Sequence, residues 1–399
     1  MRWVFLSLAL ALLAWSSLVV VQAWNKAVWQ AAIVAGEFGH YLGIVALVLA
    51  CAIVAHGAVL GVSDAASPRR EWLLVGGGFA ASLVATGLFL APAVMASLVG
   101  QRLPQAVEQG LGAKVSTFRV TSFGDMLLAT PRVERVGVST RVFAGAGTAD
   151  ALSLDFYAPT GVAVTGRVPC VIVVHGGGWD GGDREQLVDF NHWLAGEGYA
   201  VAAVSYRLAP EHPWPAQGQD VLVAIAWLKA HAAELGIDAG RLVLMGRSAG
   251  AQIASAVAYG APDEAVRGFI GLYGVYDMNF VWSLAREDDV LNSVKLMNQF
   301  LGGEPTLENR ERYDSASAQG MVRQGVTPPT LLMHGTIDTL CWVEHSRRLA
   351  AKLDDEGVPH VLVELPWGVH AFDYNLHGPG GQLTRYAVRE FLRTVCAER

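Results

Sequence analysis

The stretch RLVLMGRSAGAQIASAVAY, residues 241–259, decides the fold class of this chain. Its apolar start, residues 241–245, predicts a buried strand, and residues 249–259 predict a helix. Between them lies the pentapeptide Gly-Arg-Ser-Ala-Gly, a GxSxG pattern. The small residues permit a tight turn that projects the hydroxyl of Ser248 above a sheet, and the helix offers its N-terminus to developing negative charge. This context predicts Ser248 as a nucleophile.

Short apolar runs alternate with helical stretches from about residue 133 onward. The alternation predicts right-handed crossovers and an α/β architecture, a mostly parallel sheet with helices on both faces. In such a sheet the chemistry lies at the carboxyl ends of the strands. The predicted strands are 168–174, 200–205, 241–245, 266–272, 329–333 and 360–365, and the predicted helices are 186–197, 217–235, 249–259 and 381–395.

A second motif, HGGGW at residues 175–179, directly follows the first predicted strand. A run of glycines lets backbone N–H groups approach a developing oxyanion without an intruding side chain. We expect donors from Gly176, Gly177 and Gly178, with the N–H of Ala249 completing the oxyanion hole. A glycine-rich structural turn is the alternative interpretation.

An acid and a histidine should follow the serine in that order along the chain. Asp338 lies in HGTID and His370 in GVHAF, each in a loop just past a predicted strand. The imidazole of His370 is expected to take the proton of Ser248, while Asp338 fixes the tautomer of the ring. Rival acids and histidines, whose positions fit less well, are Asp277, Asp373, His334, His345 and His377.

Together, three motifs resemble those of the hormone-sensitive-lipase-like esterases: residues 175–179, residues 206–216 (YRLAPEHPWPA) and residues 246–250. Residues 179–183, WDGGD, also resemble the bacterial feruloyl-esterase-like (BD-FAE) branch. The resemblance covers roughly residues 151–395 and none of the N-terminal region.

This resemblance implies an α/β-hydrolase fold and the hydrolysis of carboxylic esters without a cofactor. It implies Gly177 and Gly178 as the main oxyanion donors. It also implies that residues 206–216 form a structural loop, in which Arg207 pairs with Glu211 while Asp220 caps or braces the next helix.

The N-terminal third has the composition of a membrane region. Hydrophobic residues make up 52% of the 399 residues and charged residues only 16%, and the first hundred residues carry most of the excess. Because about 20 apolar residues cross a bilayer, the pattern predicts about three transmembrane helices, at about residues 3–24, 41–62 and 72–99. Trp24, Trp29 and Trp72 lie at the ends of these stretches, as in an aromatic belt.

Basic residues predict the orientation of these helices. Arg2 precedes the first stretch and residues 69–70, both arginine, precede the third. The positive-inside rule then places the catalytic part of the chain on the non-cytoplasmic side. Cleavage of a signal peptide after Ala23 is the alternative for the first stretch and leaves the same placement. Glu37 and His40, one helical turn apart, indicate either an intramembrane proton site or, as we favour, an interfacial position before the second span.

We therefore predict a membrane region at residues 1–100, a linker or the start of the next domain at 101–140, and a catalytic domain at 141–399. Residues 278–320 are a long excursion between two predicted strands. They predict either a cap over the site or ordinary helix packing. The apolar side chains that would line a pocket beneath a cap are Phe280, Trp282, Leu284 and Phe300.

Composition also bounds the partners. The net charge of −7 and the lack of a basic block exclude nucleic acid as a predicted partner. The four scattered cysteines form no Cys/His cluster, so neither a metal site nor a disulfide framework is predicted. The predicted partner is a small-molecule or lipid-like ester. An arylformamidase or amidase with the same triad, and a membrane-anchored protein that only binds a ligand, are the alternatives. The sequence gives no oligomeric state.

Overall fold

The N-terminal part of the chain is helical. The computed structural model describes residues 2–59, 68–116, 118–128, 133–148, 150–160 and 166–398. The first helices are α1 (Arg2–Ser16), α2 (Lys26–Glu37), α3 (Gly39–Val59), α4 (Pro68–Leu111) and the short α5 (Phe123–Leu128). Asn25 caps α2, because its side-chain oxygen accepts the N–H of Val28 at 2.9 Å.

Within the described part of the chain, three helices are long and apolar enough to cross a membrane, at residues 2–19, 39–58 and 72–111. The first ends earlier than predicted and the third continues beyond residue 99, while residues 60–62 of the second predicted span lie outside the described residues. Trp24 and Trp72 are exposed, as a belt residue would be. Trp29 instead donates a hydrogen bond to the main-chain oxygen of His370, and its position in an aromatic belt stays a prediction.

The described residues of the C-terminal domain form one eight-stranded sheet in the order β1-β2-β4-β3-β5-β6-β7-β8. β1 pairs antiparallel with β2, and β2 antiparallel with β4, whereas every other neighbouring pair is parallel. The strands are β1 (Val138–Ala144), β2 (Leu152–Tyr157), β3 (Val168–Val174), β4 (Ala200–Val204), β5 (Ile237–Arg247), β6 (Val266–Leu272), β7 (Thr330–Gly335) and β8 (His360–Leu365). The predicted mostly parallel sheet is confirmed.

Helices cover both faces of this sheet. One hydrophobic cluster holds α7 (Ala216–Ala230), α9 (Ala249–Gly260) and α13 (Glu344–Asp355) against one face. A second cluster holds α6 (Val188–Gly196) and α14 (Pro379–Val395) against the other. The shorter helices are α8 (Ala232–Leu235), α10 (Met278–Leu284), α11 (Ser293–Leu301) and α12 (Arg310–Ser315).

The N-terminal helices pack directly on the second face. Phe89 and Leu103 of α4 share one buried cluster with Trp367 and with apolar residues of α14. The last turns of α4 reach the edge strand, since a Cβ at Gly110 would overlap the carbonyl oxygen of His360. Residues 101–111, predicted as linker, therefore continue α4, and α5 and the start of β1 occupy described parts of the remaining linker range. Residues 117 and 129–132 of that range lie outside the described residues.

Candidate active site

Ser248 occupies a strained turn between β5 and α9. Its backbone has φ 53° and ψ −123°, a region that costs a non-glycine residue energy and is common at functional sites. A Cβ at Gly246 would overlap the backbone of Gly250, and a Cβ at Gly250 would overlap the carbonyl oxygens that end β3. Only glycine fits at these two positions, so the GxSxG spacing sets the geometry that lifts the serine above the sheet.

Asp338 and His370 lie together, as predicted. The imidazole Nδ1 of His370 lies 2.7 Å from Oδ2 of Asp338. The other carboxylate oxygen of Asp338 accepts the N–H groups of Leu340 at 2.8 Å and Cys341 at 3.0 Å. These bonds fix the carboxylate in an orientation that favours a proton on Nδ1 and leaves Nε2 without one.

Asp338 stays ionised although it is fully enclosed. Burial alone would raise its pKa, but the charge of His370 and the hydrogen bonds from His334 and His370 outweigh that effect and hold the pKa well below the usual range. His334 lies 3.5 Å from Asp338 through Nε2, and its Nδ1 contacts Ser346 Oγ at 2.7 Å. The rival histidine His334 is thus a buried support for the acid.

The side chain of Ser248 lies close to Cys341. Among the hydrogen bonds of the described residues there is none between Ser248 and His370, and the Ser248 side chain lies within hydrogen-bonding distance of the Cys341 thiol. Burial raises the pKa of that thiol well above its ordinary value, and the charge of Asp338 adds to the rise. The thiol is therefore neutral.

The glycine loop after β3 supplies free donors. Within the described residues, the N–H groups of Gly177, Gly178 and Ala249 have no hydrogen-bond acceptor. The N–H of Gly176, by contrast, donates to Gln186 Oε1 at 2.8 Å. Gly176 therefore braces the loop and is not a free oxyanion donor, which corrects the expectation for that residue.

Left-handed backbone shapes this loop. Gly177 has φ 131° and Gly178 φ 62°, and the next residue, Trp179, has φ 66°. Trp179 is held in place because its Nε1 donates to Gln252 Oε1 at 2.9 Å and its ring stacks on Phe300 at 4.4 Å. Phe300 comes from the 278–320 excursion and is fully buried, so it packs under the loop.

A buried network that the sequence did not predict lies beside the histidine. Arg247, the second residue of GxSxG, pairs with Asp373 at 2.7 Å, and both side chains are almost fully enclosed. The hydroxyl of Tyr273 donates to the same carboxylate at 2.6 Å. The Tyr273 ring in turn lies 4.4 Å from the ring of His370. The rival acid Asp373 therefore balances the charge of Arg247.

The remaining rivals have structural roles. Asp277 caps α10 by accepting the N–H of Phe280 at 3.1 Å, and it also pairs with Arg348 at 2.9 Å. Burial and, to a smaller extent, the charge of the nearby His334 lower the pKa of His345 to about 3, so this ring is neutral. His377 lines a cavity outside the triad.

The loop at 206–216 differs from the expected pairing. Arg207 donates to Asp220 at 2.7 Å, and the backbone N–H of Arg207 donates to the same carboxylate at 2.8 Å. The expected pair between Arg207 and Glu211 is wrong, because Asp220 on α7 offers a buried carboxylate whereas Glu211 is exposed. The structural interpretation of the loop is otherwise supported, since Tyr206 stacks on His175 at 4.1 Å.

The strand order and parallel crossovers define an α/β-hydrolase fold with its candidate residues at the carboxyl ends of β3, β5, β7 and β8. The chain belongs to the BD-FAE family, whose model matches residues 154–353, half of the chain. The resemblance to this family is confirmed for the C-terminal part.

Sequence relatives agree with this family, and solved structures agree with the fold. The probable carboxylic ester hydrolase LipM of Mycobacterium tuberculosis is 30% identical over 259 residues, 61% of this chain and 58% of LipM. The match spans about three fifths of that relative's length. Among solved structures, a bacterial heroin esterase has TM-score 0.57 at 24% identity, covering 77% of this chain and 92% of that one. Thermogutta terrifontis esterase 2, phosphoramylated by tabun, has TM-score 0.53 at 25% identity, with coverage of 67% and 98%.

Proposed function

We propose that this protein is a membrane-anchored serine hydrolase that cleaves carboxylic esters through an acyl-enzyme on Ser248. The observation that carries the proposal is the strained serine turn above the sheet together with the Asp338–His370 pair. Relatives named as ester hydrolases, LipM among them, support the same reaction class.

The geometry suggests a role for each residue. The Ser248 hydroxyl gives its proton to Nε2 of His370 as its oxygen attacks the ester carbonyl. The N–H groups of Gly177, Gly178 and Ala249 receive the oxyanion, where each donor is worth about 3–4 kcal/mol of barrier. His370 then protonates the departing alcohol, and water, activated by the same imidazole, releases the acid and restores the serine.

A serine-directed probe tests this assignment. We expect a fluorophosphonate to label the full-length protein, and labelling and short-chain p-nitrophenyl ester turnover to vanish together in Ser248→Ala. Ser255→Ala is the matched control, because Ser255 is a buried serine in the helix that follows Ser248, and its hydroxyl donates to the main-chain oxygen of Gln252 in that helix. Turnover that persists in Ser248→Ala would refute the acyl-enzyme.

The same triad can act on activated amides, so an arylformamidase or amidase is the second candidate. Comparing turnover of an aryl ester with that of its matched formamide separates the two. A higher kcat/KM on the formamide would favour the second candidate and leave the role of Ser248 unchanged.

We further infer that the substrate is a lipid-like ester drawn from the membrane. A cavity of about 850 Å³ lies between Phe38 and Tyr41, at the start of α3, and the segment 373–377 that follows His370. Its other wall is residues 185–190, next to the glycine loop. Below it, α3 exposes apolar side chains, among them Val48, so the cavity adjoins the surface that would face lipid.

Filling this cavity tests the inference. Val188→Trp should lower turnover of a long-chain ester presented in vesicles and leave turnover of a short-chain soluble ester unchanged. Val223→Trp, on the exposed side of α7, is the control. Equal long-chain rates in both variants would contradict a lipid-binding role for the cavity.

The catalytic domain is proposed to lie on the non-cytoplasmic side, from the positions of Arg2 and residues 69–70. A cysteine introduced at the exposed Leu307 should react with a membrane-impermeant maleimide in intact cells. Reaction only after the cells are permeabilised would reverse the orientation.

A further inference from the structure

Helix α2 contacts the segment that carries the catalytic histidine. Nε1 of Trp29 donates to the main-chain oxygen of His370 at 3.0 Å, and the two rings lie edge to face with centroids 6.3 Å apart. Trp29 is partly buried. The two residues are 341 positions apart in sequence, so the contact joins the N-terminal region to the active site.

The other end of α2 contacts the same segment again. Glu37 is almost fully enclosed. Its carboxylate accepts Nε1–H of Trp367 at 3.2 Å and the backbone N–H of Gly380 at 2.9 Å, and its main-chain oxygen accepts Nδ2–H of Asn375 at 3.0 Å. A Cβ at Gly380 would lie 2.9 Å from this carboxylate, so the approach depends on glycine. Contacts at 367, 370, 375 and 380 thus bracket the histidine.

We propose that α2 is part of the active-site scaffold and that Trp29 and Glu37 are positioning residues for His370. The inference rests on the proposed function. His370 must keep Nδ1 on Asp338 while Nε2 faces the serine, and a misplacement of about 1 Å can cost a hundredfold in rate. The chain leaves the sheet after Leu365, the last residue of β8, and the main-chain oxygen of Gly368 accepts the N–H of Ile337 at 3.3 Å. Beyond Gly368, Asp338 contacts His370, and Arg247 and Tyr273 contact Asp373. Helix α2 adds its contacts at residues 370, 375 and 380.

The N-terminal region is therefore more than an anchor. An anchor alone would contact the catalytic domain at places remote from the chemistry, and its details would not alter the rate per active site. A scaffold helix predicts that a single side-chain donor on α2 alters kcat while the protein stays folded and inserted.

The test compares two tryptophans that make the same bond. Trp29→Phe keeps the ring but removes the donor to His370. Trp15→Phe makes the same change at a tryptophan whose Nε1 donates to Ala31 at 3.0 Å, within the N-terminal region. Both full-length variants are reconstituted in nanodiscs, and active sites are counted by stoichiometric fluorophosphonate labelling before ester turnover is measured.

We expect kcat per labelled site to fall about three- to tenfold in Trp29→Phe, the range that follows from one lost hydrogen bond. KM should stay unchanged, because the substrate pocket is untouched. Trp15→Phe should keep kcat within about twofold of wild type. A purely structural role of Trp29 would lower the labelled fraction and not the rate per site.

Two results would overturn the proposal: a wild-type rate per site in Trp29→Phe, or an equal loss in Trp15→Phe. Glu37→Ala gives a second, independent reading at the other end of α2, where we again expect a lower kcat per labelled site. Failure of the proposed function itself would look different, since the wild-type protein would then show no labelling or Ser248→Ala would stay active.

Discussion

Replacing Asp373 tests the buried network beside the triad. Its carboxylate is the partner of Arg247, and the side chains are 0% and 2% exposed. The Arg247 guanidinium also lies over the ring of Phe190 at 4.6 Å, and the Tyr273 hydroxyl donates to the same carboxylate. Asp373→Asn keeps the shape of the side chain and removes its charge, which leaves the arginine enclosed without a counter-ion.

The expected cost follows from this enclosure. Leaving one member of a buried ion pair uncompensated destabilises a protein by about 3–5 kcal/mol. The surface pair Arg135–Asp189 has the same N···O distance of 2.7 Å, but its side chains are 60% and 58% exposed. Because solvent screens such pairs, Asp189→Asn should cost less than about 1 kcal/mol. Because the two ion pairs have the same N···O distance, a difference in destabilisation between the two variants reports the effect of burial.

Urea unfolding in detergent micelles, followed by tryptophan fluorescence, measures both variants. Arg247→Met/Asp373→Leu should recover most of the stability lost in Asp373→Asn, since apolar replacement of both partners removes the unpaired charge. A loss in Asp373→Asn no larger than in Asp189→Asn would refute the reasoning, and so would a double variant less stable than Asp373→Asn.

Three further variants probe other parts of the site. Gly250→Ala should abolish turnover and lower the folded yield, because the added methyl group overlaps the main-chain oxygens of Val174 and His175; ester turnover and soluble yield measure this, and normal turnover would contradict it. Gln186→Ala frees the first N–H of the glycine run and loosens the loop; we expect kcat to fall about three- to tenfold, and an unchanged kcat would remove the bracing role. Burial raises the pKa of Glu37 to about 8 from 4.5, against the opposing hydrogen bonds from N–H donors. Because the pKa of Glu37 is higher in the folded than in the unfolded protein, its contribution to the free energy of unfolding is complete below the unfolded pKa. That contribution is lost as the pH rises toward 8. The thermal unfolding midpoint of the wild-type protein should therefore decrease as the pH is raised from about 5 to about 8, and Glu37→Gln should make this decrease smaller. Parallel plots of the midpoint against pH for the two proteins would contradict it.

The central strands could be predicted from the sequence because they are enclosed on both faces. The edge strand β8 also has the predicted bounds, although its side chains are buried only in alternation. β3 and β6 lie inside the sheet and have the predicted bounds as well. Continuous apolar runs mark such strands. β1 and β2 were not predicted, since β1 is an edge strand whose side chains are mostly exposed. Without an apolar run or a strict alternation, β1 carries little signal.

The candidate site likewise has a part that the sequence predicts and a part that it does not. Ser248, Asp338 and His370 follow strands that the sequence reveals, so their convergence at one sheet edge could be expected; their catalytic roles stay predictions. The contacts of Trp29 and Arg247 join segments far apart in sequence. A single sequence carries no sign of which distant side chains meet, because pairing is decided by packing and charge balance in the folded chain.

The length of α4 has a consequence for how substrate is found. Forty-four residues give a helix about 66 Å long, about twice the ~30 Å hydrocarbon thickness. In the membrane-anchored arrangement proposed above, α4, which contains Pro92 and Pro104, would leave the bilayer and end against β8 without an intervening loop. The catalytic domain would then be held at a defined height above the membrane surface. Its rate of encounter with a membrane-dissolved ester would depend on the number of ester molecules per unit area of membrane. Inserting one residue into the part of α4 outside the bilayer would rotate the catalytic domain about the helix axis by about 100°.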